Sequence, residues 1–96
     1  MGPCVYILEC ADGTLYTGWT NDPERRLKEH NSTDRGARYT RGRRPCRMVY
    51  LETCADRREA MRREWEIKNR MSREDKEKLI RTYSDTVDNG VSRGYT

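Results

Sequence analysis

Apolar and polar positions change rhythm several times along the chain, and each change marks an element. Residues Cys4 to Cys10 (CVYILEC) are apolar on both alternating faces, the pattern of a central strand covered on both sides. Leu15 to Thr20 (LYTGWT) reads as its partner, joined through the Asp-Gly turn of ADGT as in a β-hairpin. Gly18 interrupts this second strand, and a glycine there often marks close approach by another group. A helical rhythm follows over 23–31, with Asp22 as N-cap and Pro23 in the first position. Leu27 is its clear apolar anchor. At about 100° per residue, Pro23, Arg26 and His30 share the side of Leu27, so Arg and His turn towards the sheet.

Segment 32–45 lacks either rhythm and is expected to be a loop or turn-rich crossing. Residues 47–54 (RMVYLETC) give a third strand. Asp56 then caps a helix over 57–70 whose apolar members are Ala60, Met61, Trp65 and Ile67, with Met71 just beyond. Their stripe is centred close to Glu64. Glu59 and Glu66 fall outside it, and Lys68 shares it at i+4. Ser72 caps a third helix over 73–83, with Glu74 and Asp75 in the first turn to match the helix dipole. Lys76, Leu79, Ile80 and Tyr83 trace its inward stripe. Nothing after Ser84 is periodic, so 84–96 is expected to be a disordered tail. The order is β-β-α-β-α-α in one domain, 1–83.

Composition narrows the function. A chain of 96 residues with 33% apolar positions and no Phe builds only a modest core. No stretch of about 18 apolar residues exists and the N-terminus lacks signal-peptide features, so a cytoplasmic protein without membrane contact is expected. The net charge is +4, and its excess is local. Between Arg35 and Leu51 stand Arg35, Arg38, Arg41, Arg43, Arg44 and Arg47 with no acidic residue. A solvated basic loop is the plainer alternative. Interleaved Tyr39 and Thr40, with glycines at 36 and 42, favour a nucleic-acid backbone groove instead. Cys4, Cys10, Cys46 and Cys54 do not have zinc-site spacing, and His30 is the sole histidine. Buried free thiols in a reducing compartment are expected.

Glu64 poses the sharpest question. As a helix-surface pair with Lys68 it would contribute only ~0.3–0.5 kcal/mol. Facing inward, it needs a strong partner, because desolvating an unpaired carboxylate costs several kcal/mol. A divalent cation or an active-site cavity would meet that need. Convergence of Tyr6, Tyr16, Arg26, His30 and Glu64 would match phosphodiester hydrolysis. Glu64 would hold one Mg2+ or Mn2+ with water filling the other positions. Arg26 would hold the scissile phosphate, and a tyrosine would act as general base.

Val5-Tyr6, then Tyr16-Thr17-Gly18, then Arg26 and His30, then Glu64 on the helix after the third strand, resemble the GIY-YIG nuclease superfamily. With GARYTRGRRP and RREWEIK the chain looks like its small single-domain bacterial branch, over about residues 4–80. The resemblance implies an α+β fold, a three-stranded antiparallel sheet flanked by helices, with a one-metal nuclease site. It implies Tyr6 as general base or relay, Tyr16 as support, Arg26 on phosphate, His30 in proton transfer or positioning, and Glu64 on the metal. Cys4-Val5 replace the family's glycine and isoleucine. Asn69 is the candidate for a downstream asparagine that orders the site in larger members. Those members gain specificity from a second DNA-binding domain, so a partner protein is expected to supply it to this chain, itself expected to be a monomer.

A metal-dependent endonuclease acting on DNA, ahead of RNA, is the leading reading, with a role in repair or recombination of structured DNA. Arg38, Arg41, Arg43, Arg44 and Lys68 are its expected nucleic-acid contacts. A non-catalytic nucleic-acid-binding module with the same fold and a protein-interaction adaptor are the alternatives.

Overall fold

The computed structural model describes residues 2–32 and 37–86. The chain runs β1 (Cys4–Glu9), β2 (Leu15–Thr20), α1 (Pro23–Ser32), α2 (Arg38–Arg41), β3 (Arg47–Thr53), α3 (Arg57–Arg70) and α4 (Arg73–Thr86). The strands form one antiparallel sheet in the order β2-β1-β3, so the expected α+β class and element order hold. Two departures are local. A single helical turn, α2, stands within the arginine-rich crossing. Helix α4 continues past 83, where the Thr86 hydroxyl donates to the Thr82 carbonyl at 2.9 Å. Arg35, and residues 87–96 of the expected tail, lie outside the described residues.

Short polar residues start the long helices as expected. Asp22 accepts from the Arg25 amide at 3.1 Å, and Asp56 from the Glu59 amide at 2.8 Å. Ser72 and Asp75 cap one another reciprocally, amide to side chain, at 3.1 and 3.2 Å. Each contact satisfies a helix-end N–H that has no partner within the helix. In the hairpin turn, Asp12 accepts from the Thr14 amide, and Gly13 takes φ +84°, a conformation that L side chains rarely adopt.

The central strand is buried on both faces, as its unbroken apolar run requires. Val5 and Ile7 face one cluster with Cys54, Ala60 and Ile67, sealed by Leu79 and Ile80 of α4. Tyr6 and Leu8 face the other with Cys10 and Cys46, against which Leu27 of α1 packs. A register shift between Ile7 and Leu8 in the β1–β3 pairing puts Val49 and Tyr50 together on the first face. Asn31 ties α1 to the start of β3, exchanging two hydrogen bonds with the Cys46 backbone at 2.8 and 2.7 Å. All four cysteines are free and buried. Among the described residues, no helix is long and apolar enough to cross a membrane.

Helix α3 corrects one expectation. Its buried residues are Ala60 and Ile67, whereas Met61 is 50% and Trp65 54% exposed. Met61 and Trp65 lie roughly 100–140° round the helix from Ala60, beyond the arc that touches the sheet. The inward face is therefore centred between Ala60 and Ile67, and Glu64 sits on its flank rather than at its middle.

Candidate active site

The two tyrosines meet because of a glycine. In the β1–β2 register Tyr6 stands opposite Gly18, and Leu8 opposite Tyr16. A Cβ on Gly18 would lie 2.5 Å from the Tyr6 hydroxyl oxygen and 3.2 Å from the Tyr16 ring. The missing side chain is the space through which the Tyr6 ring leans across β2. Ring centroids of Tyr6 and Tyr16 are 6.5 Å apart, and each packs edge-on against the His30 imidazole at 5.8 and 5.2 Å.

His30 is fully buried, and both ring nitrogens are engaged. Nε2 is 2.8 Å from the Tyr6 hydroxyl and Nδ1 2.9 Å from Thr40 Oγ1. The Thr40 hydroxyl is itself 2.8 Å from the Ala37 carbonyl, which can only accept. One assignment satisfies the whole chain: Tyr6 O–H donates to Nε2, Nδ1–H donates to Thr40, and Thr40 O–H donates to Ala37. The Ala37 amide reaches Nδ1 only at 3.4 Å and is the weaker competitor. Burial, then the Arg26 charge, lowers the His30 pKa to about 4, so the ring is neutral and can accept. Burial likewise raises the Tyr6 pKa, opposed by a hydrogen bond and charge from Arg26 and reinforced by Glu64. Tyr16 is raised by burial, with Arg26 opposing and Glu64 adding.

Arg26 lies on the inner side of α1, as its spacing from Leu27 and His30 requires, and is steered by Glu29 at 2.9 Å. It borders a shallow pocket of ≈ 280 Å³ lined by Thr20, Asn21, Asp22, Arg25, Arg26 and Glu29. Glu64 comes from α3, whose apolar side packs on the opposite face of the sheet. Its carboxylate pairs with Lys68 at 3.7 Å, beyond hydrogen-bonding length, and its side chain is 24% exposed. Lys68 in turn lies over the Tyr16 ring at 5.6 Å. Tyr6, Tyr16, Arg26, His30 and Glu64 thus share one end of the molecule, close enough for each tyrosine to sense both Arg26 and Glu64. Among the described residues no group of three or more His, Cys, Asp or Glu stands together to hold a metal ion, so the part-exposed Glu64 carboxylate is a single hard oxygen donor, which suits only a largely hydrated divalent ion.

The basic residues divide into two kinds. Arg38 and Arg41 project from α2 and are exposed. Arg43 is drawn into the fold by Asp12 at 3.0 Å, by the Tyr39 carbonyl at 2.8 Å and by the Tyr39 ring at 4.0 Å. Arg44 donates to the His30 carbonyl at 2.5 Å, capping the last turn of α1. Asn69 is exposed and donates to the Trp65 carbonyl on its own helix at 2.9 Å. Two participants escaped the sequence reading. Thr40 is fully buried against His30, and Tyr39 stacks on Tyr16 at 5.7 Å. Their signal was an aromatic and a hydroxyl set together among arginines, read there only as a binding feature.

A hairpin carrying two tyrosines, followed by a helix with Arg and His and a later helix with Glu, defines the catalytic domain of the GIY-YIG class. This chain belongs to that family: the GIY-YIG catalytic domain matches residues 2–78. It is similar to a UPF0213 protein of Desulfotalea psychrophila, 64% identical over 64 residues that span 67% of this chain and 58% of that one. A UPF0213 protein of Halobacterium salinarum is 53% identical over 79% of this chain and 96% of its own length. Among solved structures, the solution structure of a UPF0213 protein from Bacillus halodurans superposes with a TM-score of 0.58. It is 44% identical and covers 98% of both chains.

Proposed function

We propose that this protein is a metal-dependent endonuclease that hydrolyses phosphodiester bonds in DNA, with structured DNA in repair or recombination as its setting. The observation that carries the reading is the Tyr6–His30 hydrogen bond of 2.8 Å, buried beside Arg26 at the end of the molecule that also holds Glu64. Membership of a nuclease family supports it.

The residues divide the work. Tyr6 oxygen takes a proton from the attacking water while passing its own proton to Nε2 of His30. Nδ1–H stays on Thr40, so both N–H groups of the resulting imidazolium are hydrogen-bonded. Arg26 binds the scissile phosphate, whose negative charge offsets the guanidinium charge that otherwise disfavours protonating His30. The water oxygen bonds to phosphorus as the bond from phosphorus to the leaving sugar oxygen breaks, and that oxygen takes a proton from solvent water. Tyr16 holds the imidazole edge and positions Lys68. Glu64 and water would hold one Mg2+ or Mn2+, which when bound supplies positive charge to the phosphate oxygens. Arg38 and Arg41 track the flanking backbone.

The test is incubation of pure protein and Mg2+ or Mn2+ with single-stranded, nicked and branched DNA. Tyr6→Phe and Glu64→Ala are each expected to lower the cleavage rate by about 10²-fold or more. Cleavage unaffected by either substitution would overturn the reading. Salt-dependent binding without cleavage, indifferent to metal, would make the chain a binding module of the same fold.

A further inference from the structure

Helix α3 presents a second face that the site does not use. From Lys68 outward, the strip comprises Met61, Trp65, Arg58, Asn69 and Arg62, all exposed and none of them a carboxylate. An indole left 54% exposed beside a methionine left 50% exposed is an expensive surface for a helix that has buried only Ala60 and Ile67. Arg70 lies over the Trp65 ring at 5.5 Å, so the indole already accepts a planar cation. The acidic residues of α3, Glu59, Glu64 and Glu66, all lie off this strip by the helical rotation. Trp, Met and Arg also serve protein interfaces, but every charge on this strip is positive, which complements a polyanion. A polyanion bearing flat apolar rings needs an aromatic face between cations.

We propose that Trp65 and Met61 form a stacking platform for one unpaired nucleobase, with Arg58, Arg62 and Lys68 receiving the adjoining phosphates. The inference rests on nucleic acid being the ligand of the neighbouring site, and it narrows that ligand to single-stranded or locally unpaired strands. Lys68 links the two places, since it pairs with Glu64, covers Tyr16 and borders the platform. Platform and site are about 10 Å apart round one helix, a span of one or two nucleotides. Bases within a duplex are stacked on each other and cannot offer a ring face to Trp65.

The experiment is a titration, in EDTA, of a labelled single strand and the matching blunt duplex, followed by fluorescence anisotropy. Trp65→Leu is expected to weaken single-strand binding about tenfold and leave duplex binding within about twofold, with the salt slope unchanged. Trp65→Phe should keep most of the affinity. The double variant Arg58→Gln/Arg62→Gln should lower the single-strand salt slope by about 1.4. Unchanged affinity in Trp65→Leu, equal loss on both oligonucleotides, or no binding of either by the native chain would overturn the proposal. Binding through Trp65 without cleavage in Mg2+ would leave it standing and remove the hydrolytic reading instead.

Discussion

The two ends of the candidate site are built on opposite principles. At one, Tyr6, His30 and Thr40 are almost wholly buried and each side-chain polar atom has a partner. At the other, Glu64 and Lys68 stand half open, joined by a long ion pair, and lead into the exposed strip of α3. The closed end fixes hydrogen-bond directions, and that requires a buried, fully connected network. In the proposed nuclease the open end would admit a strand and exchange water, which a closed network would forbid. The difference also predicts where the fold is brittle: substitutions at the closed end disturb stability and chemistry together, while those at the open end separate them.

Gly18→Ala should break the closed end most severely. Its new Cβ meets the Tyr6 oxygen at 2.5 Å and Cζ at 2.7 Å, and that ring, 1% exposed and bonded to His30, has nowhere to turn. Overpacking plus a broken buried hydrogen bond is expected to cost about 3–4 kcal/mol in urea unfolding. Cleavage should fall by about 10²-fold or more as Tyr6 leaves His30. A variant of native stability and rate would show that the tyrosine does not depend on this gap.

Acid should come next in size. His30 has its pKa lowered from 6.5 to about 4 by burial and then by Arg26. The unfolded chain therefore gains a proton between these values that the folded chain refuses. Stability rises with pH across that window and is lost as pH falls from about 6.5 towards 4, by up to about 3 kcal/mol. Because this is the sole histidine, the pH dependence of the urea midpoint in His30→Gln isolates the effect from the carboxylates. An identical slope in both proteins would mean that His30 titrates freely.

Thr40→Val separates position from packing at the same end. Losing the acceptor for Nδ1–H is expected to cost about 1–2 kcal/mol. Nitrogen NMR of the single imidazole should show the native Nδ1–H tautomer giving way to a mixture, with Thr40→Ser restoring it. A native ring held as Nε2–H would reverse the hydrogen-bond directions assigned above.

Much of this arrangement could be read from local residue chemistry. Asp22, Asp56 and Ser72 announce their helices because an N-cap is a contact within three residues. Arg26 and His30 turn inward because Leu27 leaves α1 a single side to bury. What escaped depends on distant partners. Met61 and Trp65 have the helical spacing of a core stripe, yet they lie roughly 100–140° round α3 from the buried Ala60 and stay exposed. Arg43 and Arg44 belong to a basic run, yet their partners are Asp12 and the His30 carbonyl, remote in sequence. Thr40 sits on a single helical turn, too short to carry a period.

The smallest effect expected is the one that sharpens the contrast. Trp65→Ser removes the largest side chain of α3, and in a packed position that would cost about 3–5 kcal/mol. With the indole 54% exposed and bordered by Met61 and Arg70, unfolding free energy should change by no more than about 0.5 kcal/mol. The Glu64→Gln change at the same end should behave alike, because a long, half-exposed pair with Lys68 contributes little. A large loss of stability in Trp65→Ser would mean that the strip is covered within the chain. The open end would then be a second closed one, with no surface left for a base to stack on.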